Sequence, residues 1–102
     1  MRVIKVPRVH EYGRRHAEAR SSLERWLVLT KFAEWQSLAD VRCTFGHADQ
    51  VTVESGRTVV VFNIKGNVFR LVTAIHYNRG KVFMLRFLTH AEYTKNDWKD
   101  TL

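Results

Sequence analysis

Thr89-His90-Ala91-Glu92-Tyr93 is the segment of this chain best suited to chemistry. Thr89 and Glu92 have capping-box spacing: the hydroxyl accepts from the backbone three residues on, and the carboxylate reaches back. A helix starting there puts His90 at its first position and Tyr93 one turn later on the same side. Imidazole is the side chain that titrates nearest neutrality, so it can give or take a proton at physiological pH. The start of a helix also favours anions, through its free N–H groups and its dipole. A histidine and a tyrosine beside such an end suit a phosphate ester whose protons must move. Glu92 looks catalytic in isolation, but its spacing assigns it to the cap.

The residues upstream share this preference. From Ser55 to Ala91, 37 residues include six Lys or Arg, two His and no carboxylate. Solvated strands usually carry both signs, and a segment that excludes acids throughout is suited to a polyanion. Arg70 lies mid-strand among Phe69, Leu71 and Val72, where a structural salt bridge would need a carboxylate that the neighbouring strands lack. Arg70 and Arg86 are therefore the expected charge partners of a phosphate, His90 the proton carrier and Tyr93 a further site residue. Lys65, His76 and Lys81 are candidate backbone contacts, though each can also be read as an ordinary solvated residue. His10, His16 and His47 are expected to be solvated, and Trp26, Trp35 and Trp98 to pack in the core. Arg14, Arg15, Arg20 and Arg25 form a basic helical surface.

The totals narrow the partners. A chain of 102 residues with net charge +7 and pI near 10.1 suits nucleic acid, an anionic membrane surface or an acidic protein. With 45% hydrophobic and 12% aromatic residues it is expected to form one globular domain spanning 1–102, without staples. No apolar run is long enough to cross a bilayer and no signal-peptide core is visible, so a cytoplasmic protein is expected. Cys43 is the single cysteine, excludes an internal disulfide, and is expected to face the core. There is no His-x-x-x-His, cysteine pair or acidic dyad in a strand context, so neither a metal site nor a cofactor is expected.

The elements that must position these residues follow from pattern. Met1 to Val6 reads as a strand and Pro7 as the opening of a helix over Arg8 to Arg20. A box at Ser21 and Glu24 starts a second helix that runs to about Trp35. Its stripe of Leu23, Trp26, Leu27, Thr30 and Ala33 is widened by Val28, Leu29 and Phe32, which predicts deep packing. A box at Ser37 and Asp40 opens a short helix ending near Phe45-Gly46. Then the period becomes two: Thr58 to Ile64, Asn67 to Tyr77 and Lys81 to Leu88 are expected strands. A two-residue loop at Lys65-Gly66 would pair Phe62 with Phe69 and Val61 with Arg70. A loop at Asn78 to Gly80 would pair Val72 with Arg86 and Leu71 with Phe87. One face then carries Val60, Phe62, Ile64, Phe69, Leu71, Ile75, Tyr77, Phe83, Leu85 and Phe87 under the helical hairpin. The other presents Asn63, Arg70, His76 and Arg86 among Val59, Val61, Val72, Ala74 and Met84.

Three blocks carry a family resemblance: WQSLADVRCTFGHADQV (Trp35 to Val51), FNIKGNVFRL (Phe62 to Leu71) and RFLTHAEY (Arg86 to Tyr93). In these the chain resembles the HigB toxins of bacterial toxin–antitoxin systems, part of the RelE-like group of ribonucleases. The resemblance implies an α+β fold, with an N-terminal strand and helical hairpin on a curved antiparallel sheet and a short C-terminal helix. It implies an endoribonuclease that cleaves mRNA, generally in the ribosomal A site, and inhibits translation. It also implies a cognate helix-turn-helix antitoxin with which the toxin forms an oligomer. Arg70 matches the family's strand arginine, His90 and Tyr93 match the THAEY motif, and Lys65 and Asn67 match the KGN turn, where they are expected to bind RNA. Members commonly have Asp after that tyrosine, where this chain has Thr94, and RelE-like enzymes vary in which residue is the base. Two other readings use the same basic strip: a non-catalytic nucleic-acid-binding module, and a toxin that binds its antitoxin without cutting.

Overall fold

In the computed structural model, which describes residues Met1 to Leu102, the alternating segments form one five-stranded sheet. Strands β1 (Arg2–Ile4), β2 (Asp49–Thr52), β3 (Thr58–Ile64), β4 (Phe69–His76) and β5 (Lys81–Thr89) lie in the order β1-β5-β4-β3-β2. β2 to β5 pair antiparallel, while β1 runs parallel to β5 with Val3 opposite Val82. The sheet is thus antiparallel except at one edge. The other edge, β2, escapes sequence reading because Asp49-Gln50-Val51-Thr52 has a single aliphatic side chain.

Helices α1 (Val6–Arg15), α2 (Arg20–Phe32) and α3 (Leu38–Thr44) fall between β1 and β2, and α4 (His90–Thr94) follows β5. None is long and apolar enough to cross a membrane. Ser21 does not cap α2: it lies inside the helix, and Ala19 stands at the cap with no side-chain bond. A capping side chain needs extended backbone, whereas Ala19 ends a 3₁₀ turn (Ala17–Ala19) and is already helical. Ser37 does cap α3, accepting from the Asp40 amide at 3.4 Å, but the Asp40 carboxylate takes the Gln36 amide instead of closing the box. Only the box at α4 is complete, with Thr89 N–H to Glu92 at 2.9 Å and Glu92 N–H to Thr89 at 3.2 Å.

Leu23, Trp26, Leu27 and Thr30 of α2 are buried against the sheet, where Phe62, Phe69 and Leu71 are also fully covered. The Trp26 and Phe62 rings meet edge to face at 5.5 Å. Side chains of this size each stabilise by roughly 1.5–3 kcal/mol when fully buried. Deep packing does not extend round the helix, because Val28 and Phe32 point away from the sheet and remain exposed. Cys43 is exposed as well, on the outer side of α3.

Two register details decide what faces where. β3 and β4 pair Ile64 with Phe69 and Phe62 with Leu71, so the loop has four residues, Lys65 to Val68, and the expected pairing is displaced by two. Side chains alternate with period two, so a two-residue displacement leaves both faces unchanged. β4 and β5 pair Leu71 with Phe87 and Val72 with Arg86 as expected. The next pair is Thr73 with Met84, which leaves Leu85 as an extra residue in a bulge. Beyond it the parity of β5 reverses. Met84 and Val82 enter the main core, Leu85 moves to the other side, and Phe83 meets His76 at 4.9 Å.

The second face is not the open cationic floor that alternation suggested. Val53, Val59, Val61, Val72 and Trp98 form a second buried cluster there, flanked by Leu85, Leu88, Tyr93 and Leu102. Trp98 comes from a closing 3₁₀ turn, Asp97–Thr101, which folds back over the sheet. The arginines of this face therefore emerge around an apolar patch.

Candidate active site

Arg70 is the pivot. It lies on β4 opposite Asn63 and Leu88 and is only 8% exposed. Nη1 donates to the carbonyls of Asn67 and Phe69 at 3.2 and 3.1 Å, and Nη2 donates to Asn67 Oδ1 and, at 3.2 Å, to His90 Nδ1. Its guanidinium also lies 5.5 Å from the centre of the Tyr93 ring. A nearly buried cation is thus held by neutral acceptors and an aromatic edge of the cleft, with no carboxylate to cancel its charge.

The turn builds this arrangement. Lys65 and Gly66 both take left-handed backbone, φ 54° and 61°, which folds Asn67 back over Arg70. The first amide of α4, that of His90, donates to the Val68 carbonyl at 2.9 Å. Turn, strand and helix end are therefore one hydrogen-bonded unit. A guanidinium can only donate, so in this contact His90 Nδ1 is the acceptor. Thr94 Oγ1 donates back to the His90 carbonyl at 2.5 Å, so the position after Tyr93 offers no carboxylate to the site.

A cleft of about 440 Å³ opens beside this unit, lined by Arg42, His47, Asp49, Asn63, Arg70 and Tyr93. Arg42, from α3, donates through Nε to the Ala48 carbonyl at 2.9 Å and reaches Asp49 at 3.8 Å. Both partners of that pair are largely exposed, so it orients more than it stabilises. Tyr93 stacks on Trp98 at 5.3 Å, and the Trp98 indole N–H donates to the Tyr93 carbonyl at 3.0 Å. Burial, reinforced by Asp49 and opposed by Arg70, raises the Tyr93 phenol above its ordinary value, so it stays protonated at neutral pH. His47 is pushed the other way: burial and then the Arg70 charge lower it below the usual histidine value. It therefore stands as a free base at pH 7. A narrower groove of about 190 Å³ continues past His47 and Asn63 to Lys65, Arg25 and Trp26.

The structure brings Arg70, His90, Asn67 and Tyr93 together, with Lys65 on the adjoining turn, where its Nζ lies 3.6 Å from Glu18. Arg86 shares the sheet face but does not line the cleft. It donates to the Leu85 carbonyl at 2.8 Å and to Thr101 at 3.1 Å. His76 and Lys81 pair with each other at the far end of β4 and β5. His76 lies six positions along β4 from Arg70, about 20 Å. Sequence reading missed His47, Arg42 and Asp49 as cleft residues. Their signal was the FGHADQ segment, whose histidine looks solvated until α3 and β2 are folded around it. No three His, Cys, Asp or Glu side chains converge as they would to hold a metal ion.

A family model of the HigB toxin, described as the RelE-like toxic component of a toxin–antitoxin system, matches residues 19–96. That span runs from the turn before α2 to just beyond α4 and includes every cleft residue named above. No curated protein matches the chain.

Proposed function

The chain belongs to the HigB toxin family, the RelE-like toxic components of toxin–antitoxin systems, and we propose that it acts as an endoribonuclease that cleaves mRNA on the ribosome and so inhibits translation. The observation that carries this reading is Arg70, a nearly buried arginine with no carboxylate partner, held between Asn67 and His90 beside a cleft with a neutral histidine.

The chemistry follows from what each group can do. His47, neutral at pH 7, removes the proton from a ribose 2′-hydroxyl. The 2′-oxygen attacks the adjacent phosphorus, and the bond from phosphorus to the 5′-oxygen breaks. The products are a 2′,3′-cyclic phosphate and a 5′-hydroxyl. Arg70 turns its N–H groups from Asn67 to the phosphorane oxygens, where charge develops. That movement frees His90, which as general acid delivers a solvent-derived proton to the leaving 5′-oxygen. Tyr93, still protonated, stacks on a base or donates to the phosphate. Lys65 and Asn67 hold the backbone along the narrower groove. His76 and Lys81 lie beyond the cleft and serve as outlying contacts, and Arg86 reaches a phosphate only by releasing Thr101. No step needs a metal. The ribosome supplies the positioning that a small open site lacks, which places the protein in the cytoplasm, held in check there by a cognate helix-turn-helix antitoxin.

Single-turnover incubation with mRNA on programmed ribosomes tests this. Fragments ending in 2′,3′-cyclic phosphate, opposite 5′-hydroxyl ends, are expected. Growth arrest on induction without any such fragments would replace the nuclease with a binding toxin.

A further inference from the structure

Val28 and Phe32 are 52% and 86% exposed, on the side of α2 opposite the buried Leu23, Trp26, Leu27 and Thr30. Helical spacing puts Ser21, Arg25, Val28 and Phe32 on one ridge, about 16 Å long at 1.5 Å per residue. Half-buried Leu29 lies beside it, and a shallow groove of about 420 Å³ runs along Ser21, Glu24, Arg25, Val28 and Leu29. The charged border of the ridge is Arg20, Arg25 and Lys31 against Glu24, a net excess of two positive charges.

No part of the chain covers this ridge. The N-terminal ammonium is bound at the end of α2, donating to the carbonyls of Thr30, Lys31 and Ala33. Leu102 packs on the other side of the sheet, in the second cluster. RNA suits the ridge less well: its phosphates would meet the arginines and a base could stack on Phe32, but the Val28 isopropyl group one turn away offers it no further contact. Both features suit one kind of partner. An amphipathic helix with apolar residues one turn apart covers Val28 and Phe32, and carboxylates along its flanks meet Arg25 and Lys31.

We propose that the Val28–Phe32 ridge of α2 is the docking surface for the antitoxin, which engages it through an acidic amphipathic segment. The proposal rests on membership of the toxin family and not on the nuclease reading. It leaves Arg70 uncovered, on the side of the sheet away from α2, and the two partners meet only at Arg25, which also lines the narrower groove.

The test is co-expression with the cognate antitoxin, comparing the parent with a Val28→Ser/Phe32→Ser double variant. Both side chains are outside the core, so circular dichroism and melting should match the parent. Antitoxin affinity should fall by about 30-fold or more, the loss typical of removing an interface hot spot. Growth arrest should persist and no longer be rescued by the antitoxin. Lys31→Glu should weaken the same complex by placing like charges together. Unchanged affinity in the double variant would overturn the proposal. So would a parent that is dimeric through this ridge and a variant that is monomeric with antitoxin affinity intact, since the occupant would then be a second copy. Loss of antitoxin binding in a protein that cuts no mRNA would leave this proposal standing and remove only the nuclease.

Discussion

Arg70→Lys separates charge from shape at the pivot of the site. Lysine keeps the cation but cannot bridge Asn67, His90 and a phosphate with one planar fork. Cleavage should fall by about 10²–10³-fold, the cost of removing a preorganised donor, while the melting temperature stays near the parent's. Arg70→Ala is a harsher change than strand alternation suggested. Its side chain is buried and satisfies acceptors in the turn, so the variant should also lose thermal stability. Melting curves beside cleavage assays distinguish these outcomes, and full activity in Arg70→Lys would reduce the fork to a point charge. The base half of the mechanism can be read by pH. A base must be deprotonated to act, and His47 is lowered below the ordinary value near 6.5, so the acid limb of the rate profile should lie below that value. His47→Gln should lower the rate by about 10²–10⁴-fold and abolish that acid limb. An unchanged acid limb in the variant would return the base role to another group. The placement of His90 was legible because it is local, fixed by a capping box within four residues. His47 was not, because its neighbours Arg70 and Asn63 are remote in sequence and only the fold assembles them.

At the scale of elements, hydrophobic parity placed most of the core, while of the three capping boxes read from the sequence only the one at Thr89 formed whole. Hydrophobic alternation assigned Phe62, Phe69 and Leu71 to the core even though the β3–β4 loop is four residues and the pairing is displaced by two. The rule failed at the bulge after Val72, because one extra residue reverses parity and nothing in Met84-Leu85-Arg86 announces it. It failed again for the second face. Trp98 reads as one more core tryptophan, yet its turn builds a separate cluster that carries Tyr93. Trp98→Ala should therefore cost about 3–5 kcal/mol of stability and loosen Tyr93 from its stacked position. Chemical denaturation measures the first effect, and slower single-turnover cleavage under conditions where the variant is folded measures the second. Thr89→Ala removes one half of the only complete box and should cost about 0.5–2 kcal/mol. Its signature is local: the His90 amide, bonded to Val68, should exchange with solvent faster, while amides in the centre of β4 keep their protection. Uniformly faster exchange would mean that α4 is coupled to the whole fold and not to the site alone.

Across the whole molecule, the cations of the cleft and the exposed apolar surface are sorted onto opposite sides of the sheet. The cleft side carries Arg42 and Arg70, the exposed apolar residues of α2 lie on the helical side, and the narrower groove rounds the edge between them at Lys65. The net charge of +7 was visible in the composition, but the sorting was not, because Val28 and Phe32 look like core residues until α2 is seen to bury only one face. This arrangement makes a quantitative claim about salt. Three cations that each neutralise one phosphate of single-stranded RNA should give a log–log slope of binding against salt of about −2, at roughly −0.7 per phosphate. Lys81 lies about 20 Å of strand from Arg70, beyond the screening length of about 8 Å at physiological salt. Lys81→Ala should then make the slope shallower by at most one phosphate, about 0.7, and leave the cleavage rate of bound mRNA unchanged. Titrations of mRNA binding from low to high salt, paired with single-turnover rates at saturation, read both quantities. A response to salt that is flat in the parent would remove nucleic acid as the partner of the cleft. A Lys81 variant that cuts more slowly when saturated would instead place the far end of β5 within the reacting complex.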